Sequence, residues 1–286
     1  MPRLLAMESQ FPKRHAMVRL LEPPDSCRES LWERLFNGTY DKPFIVDSGL
    51  RRSLHFDLDA VQSAMYLEYP DRLSLRYTRK MMAFLLFNHA PARILLLGLG
   101  GGSLAKFCYR RLPHAAVTAV EVNPHVIALR EAFRIPPDDD RFRVICADGA
   151  AYVARLERSK DVILADACDR VGIAPELDAM AFYQDAYRCL SSGGVFVTNV
   201  CGDVNSCVAH VGKIRDVFGD GFMTLQAKQD DNVIVFAFKE RRPDVDWERL
   251  EAAAAVLKRR FGLNFPRYLR RIALDWQLRR WRHVFA

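Results

Sequence analysis

The stretch that most constrains the fold is an apolar run that ends in glycines and passes into helix-like sequence. Residues 93–102 read Arg-Ile-Leu-Leu-Leu-Gly-Leu-Gly-Gly-Gly. A continuous apolar run of this kind predicts a strand buried on both faces of a parallel sheet. Gly98, Gly100 and Gly102 would allow a sharp turn and a close approach to a ligand, with a helix N-terminus aimed at it. The glycines alone are also compatible with a purely structural turn.

Acidic residues after the next predicted strands favour a ligand-binding turn. Glu121 ends the apolar run 117–122, about 20 residues after the glycines, where a nucleotide-binding βαβ unit has its ribose-binding carboxylate. Asp148 with Gly149, and then Asp166, follow two further apolar runs. Because the carboxyl ends of parallel strands meet at one edge of a sheet, we expect these carboxylates to surround one ligand. Asp148 also fits the N-cap of the next helix.

The composition limits the class of protein. Half of the 286 residues are hydrophobic, which is enough for a sizeable core. The chain lacks an apolar segment long enough to span a bilayer and begins without a secretory signal, so a cytoplasmic protein is predicted. The seven cysteines include no Cys-x-x-Cys pair, and the seven histidines are scattered. We therefore expect reduced thiols and no bound metal.

The parts of the chain before the glycine turn predict two smaller units. Residues 1–40 carry no clear period and predict an irregular arm. Strand-like runs broken by turn residues over 44–62 predict a small antiparallel sheet. Residues 77–88 are apolar and helix-forming, and predict a helix that packs against the main sheet.

The second half of the chain continues the alternation of helices and strands. The pattern predicts a helix over 178–190, a strand over 195–200, a helix over 204–218, and strands over 222–227 and 232–239. The result is an α/β fold with a Rossmann-like, seven-stranded sheet whose last pair is antiparallel. This order is typical of methyltransferase-type enzymes with nucleoside-sulfonium cofactors. The expected domains are 1–90 (arm and β region), 91–240 (cofactor-binding catalytic domain) and 241–286 (basic helical extension).

Several motifs together resemble the polyamine aminopropyltransferases, the spermidine synthase family. Gly-Leu-Gly-Gly-Gly at 98–102 stands where that family has Gly-Gly-Gly-Asp-Gly, and Glu121 matches its ribose-binding acid. The pair Asp148-Gly149 matches its adenine-side Asp-Gly, and residues 166–169, Asp-Ala-Cys-Asp, resemble its Asp-x-x-Asp. The resemblance extends over about residues 44–240. No single motif is specific to the family, but the motifs in combination are. Further matches are Phe182-Tyr183, Leu190 and Gly193-Gly194.

The resemblance implies roles for individual residues. Asp166 would be the general base, since an amine protonated at pH 7 must lose a proton before it attacks the carbon beside a sulfonium. Asp169 and Tyr77 would hold a small-molecule acceptor. The cofactor would be S-adenosylmethionine or its decarboxylated form, without a metal, and a homodimer is expected. The residues expected to bind the cofactor are Gln62, Gly98, Gly100, Gly102, Glu121, Asp148 and Gly149.

The chain departs from the family pattern at positions that bear on the substrate. Arg79 stands where the family has a glutamate, and Arg170 where it has a proline. If both face the pocket, they would repel a diamine, so putrescine is expected to be a poor acceptor. Gly101 replaces the acid of the glycine loop, and Asn123 replaces a second acid after Glu121. Methyl transfer from S-adenosylmethionine therefore stays as an alternative function.

The positive charge of the chain is concentrated near its end. The net charge is +7, and residues 265–286 mix arginines with Tyr268, Trp276 and Trp281. Such a helix can bind nucleic acid or an anionic membrane surface. More often its aromatic side chains pack on their own domain or on a dimer partner, and this is the interpretation we favour. A non-catalytic nucleic-acid-binding protein on the same fold is the second alternative function.

Overall fold

The structure is a computed structural model that describes residues 4–10, 16–167, 173–226, 232–240 and 245–284, with side chains described up to residue 278. The amino-terminal part contains helix α1 (Arg28–Phe36) and a sheet. The strands of this sheet are β1 (Leu5–Glu8), β2 (Ala16–Leu20), β3 (Phe44–Ser48), β4 (Arg51–His55) and β5 (Ser63–Tyr66). Each strand pairs antiparallel with the next. The small antiparallel sheet expected over 44–62 is confirmed.

The prediction of an irregular arm over residues 1–40 is wrong. β1 and β2 extend the sheet on its outer side, and their alternate side chains are buried against α1. Strands of four and five residues are too short to show a period of two above the surrounding sequence. The buried side chains of this small core include Leu5, Met7, Val18, Leu20 and Trp32.

The main sheet contains the strands that follow the glycine turn and its neighbours. Its strands are β6 (Arg93–Leu97), β7 (Ala116–Glu121), β8 (Phe142–Cys146), β9 (Lys160–Ala165), β10 (Leu190–Val200), β11 (Phe222–Gln226) and β12 (Val233–Phe238). In the described part of the chain these seven strands lie in the order β11-β12-β10-β9-β6-β7-β8. β12 runs antiparallel to both of its neighbours, and the pairs among β6 to β10 are parallel. The predicted seven-stranded sheet with an antiparallel last pair is confirmed.

Helices cover both faces of the main sheet. They are α2 (Arg76–Met81), α3 (Ser103–Arg111), α4 (Pro124–Ala128), α5 (Gly149–Ala154), α6 (Met180–Cys189), α7 (Val204–Phe218), α8 (Trp247–Phe261) and α9 (Phe265–Val284), with 3₁₀ turns at Met82–Leu86 and Pro175–Leu177. Alternate residues of one strand enter opposite cores. Leu96 and Leu164 lie in one core, and Leu95 and Ile163 lie in the other. This alternation explains why the strands are apolar throughout, because neither face meets water.

Two elements differ from their predicted bounds. The helix predicted over 77–88 ends at Met81 and continues as the 3₁₀ turn. The strand predicted to begin at residue 195 begins at Leu190, with a break in register between Leu190 and Val195. Gly193 adopts a φ of +67° there, which a glycine tolerates without strain and which lets the strand bulge.

The carboxyl-terminal helices pack on the main core. Phe265, Tyr268 and Ile272 on α9 are buried, and Trp276 packs partly against the same core. The packing interpretation is therefore confirmed for Tyr268 and Trp276, whereas the side chain of Trp281 lies outside the described residues. Although α9 has 20 residues, neither it nor another helix of the described ranges is long and apolar enough to cross a membrane.

The cysteines correct one expectation from the sequence. Cys27, Cys108, Cys146, Cys189 and Cys207 are free thiols. Cys201, which directly follows β10, is disulfide-bonded. The expectation of reduced thiols throughout is therefore wrong at this residue. A count of cysteines and their spacing could not show it, because a disulfide depends on which side chains the fold brings together.

A buried lysine links α3 to β5 and to the segment after α4. Lys106 on α3 has no exposed surface. Its Nζ donates to the carbonyl oxygen of Phe133 at 2.6 Å and lies 3.1 Å from the sulfur of Met65 on β5. Burial lowers the pKa of Lys106 to about 7, and the positive charges of Arg110 and Arg134 act in the same direction. Keeping an ammonium here costs free energy because few polar groups replace its water.

This lysine makes stability depend on pH in a defined direction. Between pH 7 and about pH 10 the unfolded chain keeps the Lys106 proton and the native protein loses it, so the free energy of unfolding rises with pH. We expect wild type to gain about 3 kcal/mol over this range relative to Lys106→Met, measured by urea denaturation. Lys258→Met, which removes an exposed lysine, should follow wild type. Parallel curves for wild type and Lys106→Met would contradict the assignment.

Candidate active site

A cavity of about 590 Å³ opens at the carboxyl edge of the main sheet, beside the end of the amino-terminal sheet. It brings together most of the residues predicted from the sequence. Gly102 is not among its described lining residues and precedes α3 instead. Asp169 lies outside the described residues. The predicted residues that do line the cavity are Gln62, Tyr77, Gly98, Gly100, Glu121, Asp148, Gly149 and Asp166.

The glycine turn is held close to the end of β9. Gly98 has a φ of +92°, and a Cβ atom at this position would lie 2.3 Å from the carbonyl oxygen of Asp166. A side chain cannot fit at such a distance. The amide of Gly98 also donates to the carbonyl of Val120 at 2.9 Å, so the turn is fixed between the ends of β7 and β9.

The loop has no room for the acid that the resembled family carries in it. A Cβ atom on Gly101 would lie 2.8 Å from the Ser63 hydroxyl oxygen and 2.9 Å from the Phe133 ring. Ser63 belongs to β5, so the amino-terminal sheet packs directly on the turn. The missing acid therefore reflects the packing of this loop and does not leave it open.

Glu121 connects the end of β7 to the glycine turn. Its carboxylate accepts the backbone amide of Leu99 at 2.9 Å through one oxygen and that of Asn123 at 2.9 Å through the other. Backbone amides thus fix the direction of the carboxylate, which lines the cavity. Each oxygen keeps a further lone pair that can accept a hydroxyl from a ligand.

Asp148 both caps a helix and lines the cavity. Its carboxylate accepts the backbone amide of Ala151 at 2.6 Å and so caps α5. The N-cap alternative considered from the sequence is therefore correct. The same residue and Gly149 also line the cavity, so the cap does not exclude a role in binding.

Asp166 lies at the end of β9, where its amide donates to the carbonyl of Leu97. Its carboxylate accepts the Asn199 amide at 3.1 Å and is hydrogen-bonded by the Tyr77 hydroxyl. Burial raises the pKa of Asp166 to about 6, and these two hydrogen bonds limit the rise. A carboxylate with this pKa is ionised at neutral pH and is a stronger base than an ordinary aspartate.

Tyr77 stays a donor to this carboxylate. Burial raises the pKa of Tyr77 well above its usual value, and the negative charge of Asp166 adds to the effect. The phenol therefore remains protonated over the whole range in which the enzyme would work. It points the Asp166 carboxylate into the cavity.

The described lining of the cavity carries negative charge. Its ionisable groups include the carboxylates of Glu121, Asp148, Asp166 and Glu176, and no lysine, arginine or histidine belongs to the described lining. This contrasts with the net charge of +7 of the chain. Within the described ranges, no group of three or more His, Cys, Asp or Glu residues is arranged to hold a metal ion.

Arg79 does not face this cavity. Its Nε donates to the carbonyl of Leu73 at 2.8 Å, and one terminal nitrogen donates to the carbonyl of Ser74 at 2.9 Å. The expectation that Arg79 repels a diamine is therefore wrong. A sequence position two residues after Tyr77 does not fix where a long side chain points, and residues two apart on a helix face different ways. Arg170 lies outside the described residues.

The lining residues that were not predicted include three with polar side chains at strand ends or turns. Glu176 lies in the 3₁₀ turn before α6, Asn199 is near the end of β10, and Asn232 precedes β12. Asn199 interrupts an apolar strand at its carboxyl end, the same signal that identified Asp166. Asn232 directly precedes β12, an antiparallel strand whose start lies at the same edge of the sheet. Polar residues at both kinds of strand end could have been searched for.

The turn that carries Glu176 is anchored to α7. Lys213 Nζ lies 2.8 Å from a carboxylate oxygen of Asp178 and donates to its carbonyl at 2.9 Å. The buried His210 contacts the same carboxylate. Burial lowers the pKa of His210 despite that contact. These contacts fix the chain directly after the turn and hold it beside the cavity.

Comparison with known proteins agrees with this geometry. Residues 74–217 match the family model described as the spermine/spermidine synthase domain. The polyamine aminopropyltransferase of Chromobacterium violaceum is 40% identical over 229 residues, which cover 80% of this chain and 88% of that protein. That of Neisseria meningitidis is 38% identical over 227 residues, which cover 79% and 86%.

Solved structures give the same fold. A probable spermidine synthase from Corynebacterium glutamicum matches 92% of this chain and 95% of its own, with a TM-score of 0.60 and 16% identity. Human methyltransferase-like protein 13, in complex with SAH, matches 66% of this chain and 93% of its own, with a TM-score of 0.60 and 24% identity. With the family model and the sequence relatives, these findings show that the chain belongs to the spermine/spermidine synthase family.

Proposed function

We propose that the protein transfers an aminopropyl group from decarboxylated S-adenosylmethionine to a small, positively charged amine. The observation that carries the proposal is the acidic lining of the cavity, which contains four carboxylates and, among the described residues, no basic side chain. A cavity of this charge attracts ammonium groups and repels carboxylates. The names of the sequence relatives, polyamine aminopropyltransferases, agree with this chemistry.

The adenosyl part of the cofactor fits the half of the cavity formed by the turn after β6 and the end of β7. Glu121, already oriented by two backbone amides, would accept the ribose hydroxyls. Asp148 and Gly149 would lie on the adenine side, and the backbone of Gly98 and Gly100 permits close approach. When bound, the cofactor supplies a carbon made electrophilic by the neighbouring sulfonium.

The charge of the cavity favours the decarboxylated cofactor over its parent. Both forms end in an amino group, and the parent also carries a carboxylate that requires a cationic partner or water. The described lining offers carboxylates only. Gly101, which replaces the family's acid, therefore does not by itself direct the protein toward S-adenosylmethionine, because Glu121, Asp148, Asp166 and Glu176 supply the negative charge.

Asp166 would remove the proton from the attacking amine. Its carboxylate is ionised at neutral pH and held by Tyr77 and Asn199. The amine nitrogen would form a bond to the carbon beside the sulfonium while the carbon–sulfur bond broke and its electron pair stayed on sulfur, which would release methylthioadenosine. The proton lost by the amine passes to Asp166, which returns it to water.

The acceptor preference provides the first test of this proposal. Supplied with the decarboxylated cofactor, the protein should use putrescine with kcat/KM about tenfold or more above that for an amine with a carboxylate, because the cavity attracts the dication. The measurement is methylthioadenosine release, with the parent cofactor as a control for S-adenosylhomocysteine release. Preference for the carboxylated amine, or methyl transfer as the main reaction, would contradict the proposal.

Replacing the base should reduce turnover and spare binding. Asp166→Asn keeps the size of the side chain and removes the base, so kcat should fall about 10²- to 10⁴-fold while the affinity for methylthioadenosine changes little. Asp161→Asn is the matched control, because Asp161 lies on the same strand at its far end and should retain turnover. Wild-type kcat in Asp166→Asn would remove the base role.

The pH profile should show the raised pKa of Asp166. The base works only when it is ionised, so kcat/KM should rise with pH through about 6 and then level off, following the pKa of this carboxyl. In Asp166→Asn this rise near pH 6, the acid limb of the profile, should disappear. The remaining rate should then increase with the fraction of free amine up to the amine pKa. If kcat/KM of the wild type rose near pH 4 instead, the Asp166 carboxyl would not be desolvated and the prediction would be wrong.

A further inference from the structure

A chain of amide side chains leads to Asp166 from the edge of the sheet. Asn232 Nδ2 donates to Asn199 Oδ1 at 3.0 Å, and Asn199 Nδ2 donates to Asp166 Oδ1 at 3.1 Å. Both asparagines line the cavity. They come from β10 and from the residue before β12, so two neighbouring antiparallel strands converge on the carboxylate.

The chain of hydrogen bonds has a direction. An amide has a donating nitrogen and an accepting oxygen, and once Asn232 occupies the oxygen of Asn199, the nitrogen of Asn199 faces Asp166. Asn199 is 3% exposed, so water competes little for these bonds and turning the amide would leave a buried donor unmatched. The Asp166 carboxylate can only accept, so it requires the nitrogen end of Asn199, and Asn232 reinforces this orientation by binding the oxygen end.

We propose that Asn199 and Asn232 are positioning residues, and that they form an amide relay that keeps the Asp166 carboxylate directed at the incoming amine. Asn199 holds one oxygen of the carboxylate, and Asn232 acts through Asn199. The inference rests on the proposed function, since it concerns the base of that reaction. It adds two residues for which the sequence motifs give no role.

Among the described residues, few other groups near Asp166 could direct its carboxylate. From α2 the Tyr77 hydroxyl contacts the carboxylate. The other ionisable groups of the described lining include Glu121, Asp148 and Glu176, and Cys201 is disulfide-bonded. The Asn199 hydrogen bond lowers the pKa of Asp166 against the effect of burial. Loss of the relay should therefore raise that pKa and misdirect the base.

The test combines a pH profile with single and double substitutions. In Asn199→Leu, kcat should fall about tenfold or more, and the acid limb of kcat/KM should move up by about one pH unit. Asn232→Ala should shift the limb in the same direction by less. The double variant should equal Asn199→Leu, because residues that act in series are not additive. Methylthioadenosine affinity should stay at the wild-type value in each.

The control is Thr198→Val, which changes the neighbouring buried residue of β10, on the opposite face of the strand, and should keep the wild-type limb. If Asn199→Leu fails to fold, Asn232→Ala decides, since Asn232 is only partly buried. Active variants with unshifted limbs, or additive effects of the two substitutions, would overturn the relay. A wild-type protein that releases no methylthioadenosine would instead contradict the proposed function.

Discussion

The close approach of two strand ends is the constraint on which the site depends. At Gly98 the backbone passes so near the carbonyl of Asp166 that a Cβ atom would lie 2.3 Å from it. This contact brings the turn that would cradle the cofactor against the strand end that carries Asp166, the proposed base. A reaction between two bound molecules needs their reacting groups held close together, and here backbone packing places the glycine turn directly beside Asp166.

Negative charge is then concentrated where that turn and strand end meet. The chain as a whole is basic, yet the described lining of the cavity holds carboxylates and no basic side chain. Arg79, which follows Tyr77 by two residues, binds backbone carbonyls away from the cavity. A ligand in the cavity would therefore meet a negative local charge, although the net charge of the chain is positive.

The sequence predicted the features that depend on local signals. Apolar runs ending in Gly98, Glu121 and Asp166 identified three parallel strands and the residues at their carboxyl ends, because strand burial and strand-end polarity are visible in neighbouring residues. The arm over 1–40 was misjudged because β1 and β2 gain their burial from α1 and from each other, which are contacts between separate elements.

The relay to Asp166 depends on contacts of the same long-range kind. Asn199 and Asn232 are 33 residues apart in sequence, and only the antiparallel pairing of β10 with β12 brings them together. The direction of Arg79 was likewise beyond a motif comparison, because a motif fixes the position of a residue along the chain and does not fix its rotamer. These features became visible only in the three-dimensional structure, whereas the strands of the main sheet could be predicted from the sequence.

Isothermal titration calorimetry can measure whether the cavity selects its cofactor by charge, as proposed. The protein is titrated at neutral pH and low salt with decarboxylated S-adenosylmethionine and with S-adenosylmethionine. The acidic lining predicts a dissociation constant about tenfold or more lower for the decarboxylated form, with a difference that shrinks as salt is added. Equal affinities, or tighter binding of S-adenosylmethionine, would show that the charge of the cavity does not select the cofactor.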